Sequence, residues 1–300
     1  MADRKPFIVG IGELLWDVFP TGKRAGGAPI NFVYHATQLG ADGCAVSAVG
    51  DDDWGREILQ ELARSNIQGV ISTVPYPTGR VQVELKDGIP SYTIVEDVAW
   101  DHLPLTPEAL TAVSRADAVC YGTLSLRHAH TRETVKKLLA AAPQGALRFF
   151  DVNLRQSYYS KGLIEELLGF ANVFKLNDDE LVILRDLFGL TGSDEEVCRA
   201  LLQKYHLRYL IFTAGDKYSV IYTPDEISRI NTPRVTVEDT VGAGDSFSGA
   251  FVCAVLMGKT LKEAHEAAVK TAAFVCTRAG AWPSYLKEVV CRIRKMDIGY

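Results

Sequence analysis

The sequence predicts an α/β protein in which a mainly parallel sheet is covered by helices on both faces. Short apolar runs alternate along the chain with longer segments of helical periodicity, which is the pattern of such a sheet. One β-hairpin pattern, from Gly79 to Val95, interrupts this alternation and predicts a second, smaller sheet. No linker, repeat or low-complexity tract separates the two parts. We therefore expect residues 1–300 to form a single domain.

Short apolar runs are typical of the buried strands of a parallel sheet. Six of them are predicted as strands: Phe7–Ile11, Ala45–Val49, Ala118–Tyr121, Leu147–Val152, Val173–Leu176 and Tyr209–Thr213. Six segments with helical periodicity are predicted as helices: Ile30–Leu39, Arg56–Ser65, Thr131–Ala142, Leu163–Gly169, Asp178–Phe188 and Asp194–Lys204. Because parallel sheets bind ligands beyond the carboxyl ends of their strands, polar residues that directly follow these strands are candidate site residues.

The smaller sheet is predicted from two separate segments. Residues 80–85 and 91–95 alternate in polarity on either side of Asp87-Gly88, and an Asp-Gly pair is typical of a hairpin turn. The segment Leu14–Pro20 is predicted to add a further strand. We therefore expect strands from about residues 13–20 and 79–98 to form a small sheet that projects from the main body.

Composition and charge exclude several classes of protein. An apolar fraction of 47% and a net charge of −5 are typical of a globular enzyme, and they argue against a positively charged nucleic-acid surface. The longest apolar stretches are too short to span a membrane, and the N-terminal residues lack the pattern of a signal peptide. The six cysteines are scattered without a C-x-x-C pair, as in proteins that keep their thiols reduced. We expect a cytoplasmic protein without nucleic-acid or membrane partners.

The segment from Asp239 to Phe251 carries the strongest functional signal. It places a glycine-rich turn before apolar residues at helical spacing, so Asp245 is predicted in the first turn of a helix. Free N–H groups at such an end attract phosphate, and Gly242 and Gly244 leave the backbone open to it. A carboxylate beside a phosphate site is consistent with a general base in phosphoryl transfer. Alternatively, Asp245 is only a helix-terminal charge and the glycines only form a turn.

Two other nucleotide-binding signatures are absent from the sequence. The glycines at 242, 244 and 249 do not have G-x-G-x-x-G spacing, and no Gly-Lys-Ser/Thr follows them as in a Walker loop. After the first predicted strand, Gly10-Ile-Gly12-Glu-Leu-Leu15 lacks the third glycine that a pyridine-nucleotide dehydrogenase requires. These differences argue against a dehydrogenase.

Polar residues near the first strand suit a polyhydroxylated ligand. Asp17 follows that strand, and Gly26-Gly27-Ala-Pro29-Ile-Asn31 opens the next helix. Asp17 offers acceptors, while Asn31 offers both donors and an acceptor. The alternative for Asn31 is that it caps or braces its own helix.

Three further polar clusters follow predicted strands at the same edge of the sheet. They contain Asp151 to Arg155, Lys175 to Glu180, and Thr213 to Lys217. Arg155 could bind a phosphate with its planar guanidinium group, and Glu180 could order a hydrated Mg²⁺ ion. Alternatively, Asn177 and Glu180 form only a reciprocal helix cap.

Together these residues resemble the PfkB (ribokinase-like) family of carbohydrate kinases. The resemblance extends from Gly10 to about Ser284 and rests on two signatures that are far apart. The first runs from Gly26 through Leu39-Gly40 to Gly55, and the second from Asp239 to Asp245. It implies a three-layer α/β/α ribokinase-like fold with a β-sheet lid over the sugar.

The resemblance also implies roles for individual residues. Asp245 matches the catalytic base, the backbone of Gly242, Ala243 and Gly244 matches the anion hole, and Arg155 matches a residue near the phosphates. The substrate-contacting positions are matched by Asp17, Gly27 and Asn31. The nucleotide site is matched by Lys175, Asn177, Thr213, Gly215 and Gly280, the last within a loop that closes over adenine. Glu180 matches the position that binds Mg²⁺ through water, and Asp239 lies where many members bind a monovalent cation such as K⁺.

Within the family, Gly26-Gly27-Ala28-Pro29-x-Asn31 is similar to fructokinases. We therefore expect transfer of the γ-phosphoryl group of ATP to D-fructose, giving fructose 6-phosphate. A ketodeoxy sugar acid, another sugar or a nucleoside remains an alternative acceptor, and Lys23 and Arg24 leave a phosphosugar open. A sugar-binding regulator without catalysis is the alternative from another class. Trp16 and Trp100 either shape the sugar pocket or pack the lid, and the lid could form a homodimer.

Overall fold

The structure is a computed structural model that describes residues 4–86 and 89–294. Its strands are β1 (Phe7–Ile11), β2 (Leu15–Phe19), β3 (Gly22–Gly26), β4 (Asp42–Gly50), β5 (Gln68–Val74), β6 (Gly79–Lys86), β7 (Ile89–Ile94), β8 (Ala118–Gly122), β9 (Leu147–Asp151), β10 (Val173–Asn177), β11 (Tyr209–Ala214), β12 (Tyr218–Tyr222) and β13 (Ile227–Asn231). Its helices are α1 (Ala28–Gln38), α2 (Asp53–Arg64), α3 (Pro107–Ser114), α4 (Ala129–Ala141), α5 (Lys161–Phe170), α6 (Asp178–Phe188), α7 (Asp194–Lys204), α8 (Ala243–Leu256), α9 (Leu261–Cys276) and α10 (Lys287–Arg294).

The larger sheet contains all six strands predicted from apolar runs. Its order is β13-β12-β11-β10-β9-β8-β1-β4-β5. The pairings from β5 to β11 are parallel, whereas β12 and β13 pair antiparallel at one edge. The mainly parallel sheet is therefore confirmed, and the polar segments after β9, β10 and β11 lie side by side at its carboxyl edge.

Helices cover both faces of the larger sheet, which confirms three layers. Phe149 and Phe150 are neighbours on β9 and point to opposite faces, as side chains of a strand must. Phe149 packs against Phe32 of α1 on the face that α1, α2, α8, α9 and α10 cover. Phe150 packs against Phe174 on the face that α3 to α7 cover. Both β9 rings are fully buried, so each face has its own apolar core.

The smaller sheet has four strands in the order β3-β2-β6-β7. β2 lies within the segment 13–20, and β6 and β7 pair antiparallel within the segment 79–98. The predicted turn residues, Asp87 and Gly88, lie outside the described residues. β3 was not predicted, and it pairs antiparallel with β2.

A buried ion pair anchors the end of the hairpin to the main body. Arg127 contacts Asp101 through two hydrogen bonds of 2.7 and 2.8 Å, and both side chains are nearly inaccessible. Arg127 also donates to the carbonyl of Val95 and lies over the ring of Trp100, 4.1 Å from its centroid. Trp100 is fully buried, and the backbone of Gly79 passes so close that a Cβ there would lie 2.5 Å from the indole. Among the residues described, no helix is long and apolar enough to cross a membrane.

Candidate active site

A cavity of about 1180 Å³ lies between the carboxyl edge of the larger sheet and the smaller sheet. Most of the predicted site residues line it together: Asp17, Gly27, Asn31, Arg155, Lys175, Asn177, Glu180, Thr213, Gly215, Gly242, Ala243, Gly244 and Asp245. Asp239 and Gly280 are not part of its lining. The predicted substrate and nucleotide positions are therefore parts of one continuous cavity.

The glycine-rich turn leads directly into α8, as predicted. Gly242 is the residue before the helix and has a φ of +76°, a conformation that favours glycine. A Cβ at Gly242 would also lie 3.0 Å from the Cα of Ala281, so the turn packs closely against the loop after α9. The first-turn N–H groups of a helix have no partners within it. The turn therefore presents backbone donors beside the carboxylate of Asp245, although the N–H of Ala243 donates to the carbonyl of Thr240 over 3.2 Å.

Asp245 lies in the first turn of α8 and is hydrogen-bonded to α1. The Asn31 side-chain amide donates to Oδ2 of Asp245 over 2.7 Å. Burial and the nearby charge of Asp151 raise the pKa of Asp245 to about 6, while Asn31, Lys175 and Arg155 act in the opposite direction. Such a carboxyl group is mostly ionised at neutral pH and is a stronger base than an exposed aspartate.

Lys175 lines the cavity from beneath the turn and is nearly buried. It is 6% exposed, and its Nζ forms a 2.7 Å ion pair with Oδ2 of Asp151. Gly244 lies directly above it, where a Cβ would be 3.3 Å from Nζ. Burial lowers the pKa of Lys175, but the charges of Asp151 and Glu180 outweigh it and the net direction is upward. Lys175 is therefore a fixed positive charge under the segment that precedes Asp245.

The end of the cavity next to β2 and α1 holds several carboxyl groups and one guanidinium. Burial and the charges of Asp239 and Asp245 raise the pKa of Asp17 to about 6. Glu13, which was not predicted as a site residue, is 2% exposed, and burial raises its pKa to about 7. Its Oε1 accepts from the N–H of Ala28. Arg155 donates to the carbonyl of Leu154 and so turns back along its own loop.

The backbone of Glu13 passes so close to Gly27 that the motif requires a glycine at this position. Its φ is +122°, and a Cβ would lie 2.0 Å from the carbonyl oxygen of Glu13. Glycine is therefore required for α1 to begin next to the segment after β1.

The tryptophans Trp16 and Trp100 and the basic residues Lys23 and Arg24 lie outside the cavity lining. Trp16 donates from its indole to the carbonyl of Trp54, and Lys23 is paired with Glu57. Trp16 and Trp100 thus pack within the smaller sheet and where it joins the main body. Arg24 is paired with Asp239, so neither basic side chain faces the cavity.

At the other end of the cavity, Asn177 and Glu180 form a reciprocal helix cap. Asn177 Oδ1 accepts from the N–H of Glu180, and Glu180 Oε2 accepts from the N–H of Asn177, each over 2.8 Å. The second oxygen of Glu180 accepts from the N–H of Leu154, which ties α6 to the Arg155 loop. Burial and the charge of Asp151 raise the pKa of Glu180.

The remaining predicted residues divide into two groups. Thr213 ends the parallel part of β11, and Gly215 follows with a φ of +52° at the cavity wall. Asp239 instead organises the turn from outside the cavity, where its oxygens accept from the N–H groups of Val241 and Gly280. In residues 4–86 and 89–294, no group of three His, Cys, Asp or Glu side chains is arranged to bind a metal ion.

The chain is similar in sequence and in structure to known carbohydrate kinases. The family model described as "pfkB family carbohydrate kinase" matches residues 8–287. Fructokinase-2 of Solanum habrochaites is 30% identical over 94% of this chain and 94% of its own length. The crystal structure of an uncharacterized sugar kinase from Pyrococcus horikoshii in complex with ATP is 28% identical, with a TM-score of 0.77 over 92% of this chain and 94% of that one. Fructokinase from Vibrio cholerae O395, crystallised with fructose, ADP and calcium, has a TM-score of 0.78 at 22% identity over 92% of this chain and 94% of that one.

Proposed function

The chain belongs to the pfkB family of carbohydrate kinases and has a ribokinase-like α/β fold, and from this premise we propose that it phosphorylates D-fructose with ATP. The observation that carries the proposal is the position of Asp245. Its carboxylate is bonded to Asn31 of α1 and lies in the first turn of α8, behind an open glycine turn. One group can thus face a sugar hydroxyl while the adjacent backbone faces a phosphoryl group.

Asp245 acts in this proposal as the general base. It accepts the proton of the attacking hydroxyl as the oxygen bonds to the γ-phosphorus and the bond to ADP breaks. The N–H groups at Gly242, Ala243 and Gly244, together with Arg155, stabilise the charge on the transferring oxygens. Asp17, Gly27 and Asn31 bind the sugar, since they lie at the same end of the cavity as the base.

The nucleotide occupies the other end of the cavity, next to Asn177, Thr213 and Gly215. Asp178, Asp179 and Glu180 place carboxylates on this wall, and oxygen ligands of this kind suit hydrated Mg²⁺. When bound, Mg²⁺ neutralises charge on the phosphate oxygens. Lys175 contributes a fixed positive charge from below the turn. Gly280 and the K⁺ site at Asp239 stay predictions, as does a homodimer through the smaller sheet.

The smaller sheet serves as a lid in this proposal. It supplies Asp17 and Val81 to the cavity and faces the carboxyl edge of the larger sheet. Closing the lid over the sugar excludes water, which would otherwise accept the phosphoryl group.

Fructose is proposed as the acceptor on two grounds. The 30% identity to Fructokinase-2 extends over nearly the whole chain. In addition, Lys23 and Arg24 are each paired with a carboxylate outside the cavity lining, so neither is placed to hold a second phosphate. This arrangement favours a neutral sugar over a phosphosugar.

A coupled assay of ADP release with MgATP tests the proposal. The acceptors are fructose, ribose, ketodeoxygluconate, adenosine, fructose 1-phosphate and fructose 6-phosphate. We expect fructose-dependent release, and a fall in kcat of roughly 10²–10⁴-fold in Asp245→Asn. Asp186→Asn, which alters an exposed carboxylate on α6 outside the cavity lining, should be unaffected. Turnover of another acceptor would reject fructose, and unchanged turnover in Asp245→Asn would reject the base.

A further inference from the structure

Trp282 connects the loop after α9 to the hydrogen bonds of the candidate base. Its indole Nε1 donates to Oδ1 of Asn31 over 2.7 Å. The indole ring stacks on Tyr34 of α1, with centroids 5.2 Å apart and planes within 5° of parallel. The hydroxyl of Tyr34 donates to the carbonyl of Pro283 over 2.8 Å. These contacts, together with the 2.8 Å hydrogen bond between Nδ1 of His35 and the hydroxyl of Tyr285, hold the loop against α1.

The indole decides which way the Asn31 amide faces. An indole N–H can only donate, so the oxygen of the amide must face Trp282. The amino group of Asn31 then faces Asp245, where it donates to Oδ2 over 2.7 Å. The reversed amide would place an oxygen against the carboxylate and an N–H against the indole N–H, and both contacts would be repulsive.

We propose that Trp282 is a positioning residue for phosphoryl transfer, which fixes the Asn31 amide so that it always donates to Asp245. The inference rests on the proposed function because it gives Trp282 a role through the proposed base. Held in this way, the carboxyl group of Asp245 keeps one orientation toward the sugar hydroxyl. Asn31 also favours the ionised form of Asp245, since it donates to the charged group.

Other charged groups also face Asp245, and each belongs to a different part of the fold. Asp151 on β9 raises the pKa of Asp245, whereas Lys175 on β10 and Arg155 in the loop after β9 lower it. Glu13 and Asp17 interact with the charge of Asp245 from the segment after β1 and from β2. Trp282→Phe changes none of these groups. A shift in the pKa of Asp245 in this variant would therefore reflect a change in the hydrogen bond from the Asn31 amide.

Trp282→Phe removes the N–H donor and keeps an aromatic ring for Tyr34. A carboxyl-carbon NMR titration of Asp245 should show its pKa about one unit higher in this variant, because a hydrogen bond to a charged group is weakened. The acid limb of the pH profile of kcat/KM should move upward by the same amount. At neutral pH we expect kcat to fall about tenfold, with KM for MgATP changed less than about twofold.

Two further variants separate positioning from a merely structural role. Tyr34→Phe removes the bond to Pro283 and keeps the indole donor, so the pKa of Asp245 should stay in place. In an Asn31→Ala background, Trp282→Phe should have no further effect on that pKa, since Trp282 acts through the amide.

An unchanged pKa in Trp282→Phe would overturn the inference, and so would an equal shift in the presence and absence of Asn31. Because the NMR titration needs no turnover, it tests Trp282 separately from the proposed kinase reaction. A wild-type protein that transfers no phosphate would count against the proposed function alone.

Discussion

The buried pair of Lys175 and Asp151 makes a prediction that links stability to activity. Nζ and Oδ2 are 2.7 Å apart, and each side chain is only 8% exposed. Lys175→Met keeps most of the side-chain length but leaves Asp151 as an uncompensated buried charge. Breaking a buried pair in this way costs roughly 3–5 kcal/mol, several times the value of an exposed pair. We expect a loss of that size in the free energy of unfolding.

The same substitution should weaken the proposed base at low pH. Lys175 lowers the pKa of Asp245, and Asp151 raises it. Without the lysine, the charge of Asp151 acts on Asp245 unopposed from below. The acid limb of kcat/KM should therefore move to higher pH in Lys175→Met.

Urea unfolding at pH 7, followed by tryptophan fluorescence, measures the stability effect. The double variant Asp151→Asn, Lys175→Met carries no charge at either position, so it should regain most of the lost stability. Arg64→Met, which breaks the exposed helical pair with Glu61, should leave the midpoint nearly unchanged. A loss below about 1 kcal/mol in Lys175→Met would refute the reasoning, because it is the value of a solvated pair. A double variant as unstable as the single variant would refute it as well.

Three more predictions concern the proposed general base Asp245, the glycine turn before α8, and the buried ion pair of Arg127 that anchors the smaller sheet. Since Asp245 must be ionised to accept a proton and its pKa is about 6, kcat/KM should fall as pH drops through 6, about tenfold per unit well below it; a profile that is flat from pH 5 to 8 would contradict this. Gly242→Ala and Gly258→Ala introduce a Cβ at nearly equal φ, +76° and +77°, so each should lose about 1 kcal/mol of stability in urea unfolding, and Gly242→Ala more because its Cβ would lie 3.0 Å from Ala281. Only Gly242→Ala should also lose turnover, because its Cβ meets Ala281 whereas that of Gly258 meets open space. Equal activities of the two variants would contradict the close packing of the turn against Ala281. Arg127→Met should cost roughly 3–5 kcal/mol in the same assay, since it leaves Asp101 buried without its partner; a cost below about 1 kcal/mol would show that Asp101 is solvated.

Elements with strong local patterns could be predicted from the sequence, and edge elements could not. Apolar runs identify central strands such as β9 because both of their faces are buried. The edge strand β13 alternates exposed and half-buried residues, and β5 is mostly exposed or half-buried, so neither forms a continuous apolar run. The helix α9 was not predicted, although its buried face packs against α8.

The motif residues of the site could be predicted, but their contacts could not. Glycine and aspartate in the turn before α8 have local consequences, so their placement follows from the sequence. The contact from Trp282 to Asn31 joins residues 251 apart, and that from Arg24 to Asp239 joins residues 215 apart. Such pairs depend on how distant helices and strands pack. For the same reason, the buried ion pair that Lys175 forms with Asp151 could not be predicted, although Lys175 lines the cavity as expected.

The partners of α1 are made late in synthesis. Phe32 and its neighbours on α1 share an apolar core with residues of α8 and α9, and the bond from Asn31 to Asp245 spans 214 residues of chain. At a translation rate of roughly 5–20 residues per second, about 10–40 s pass between the synthesis of α1 and that of α8. During that time the part of its apolar surface that packs on α8 remains exposed on the nascent chain, even where the rest packs on β1 and β4. We therefore expect the growing polypeptide to depend on chaperones until α9 has left the ribosome.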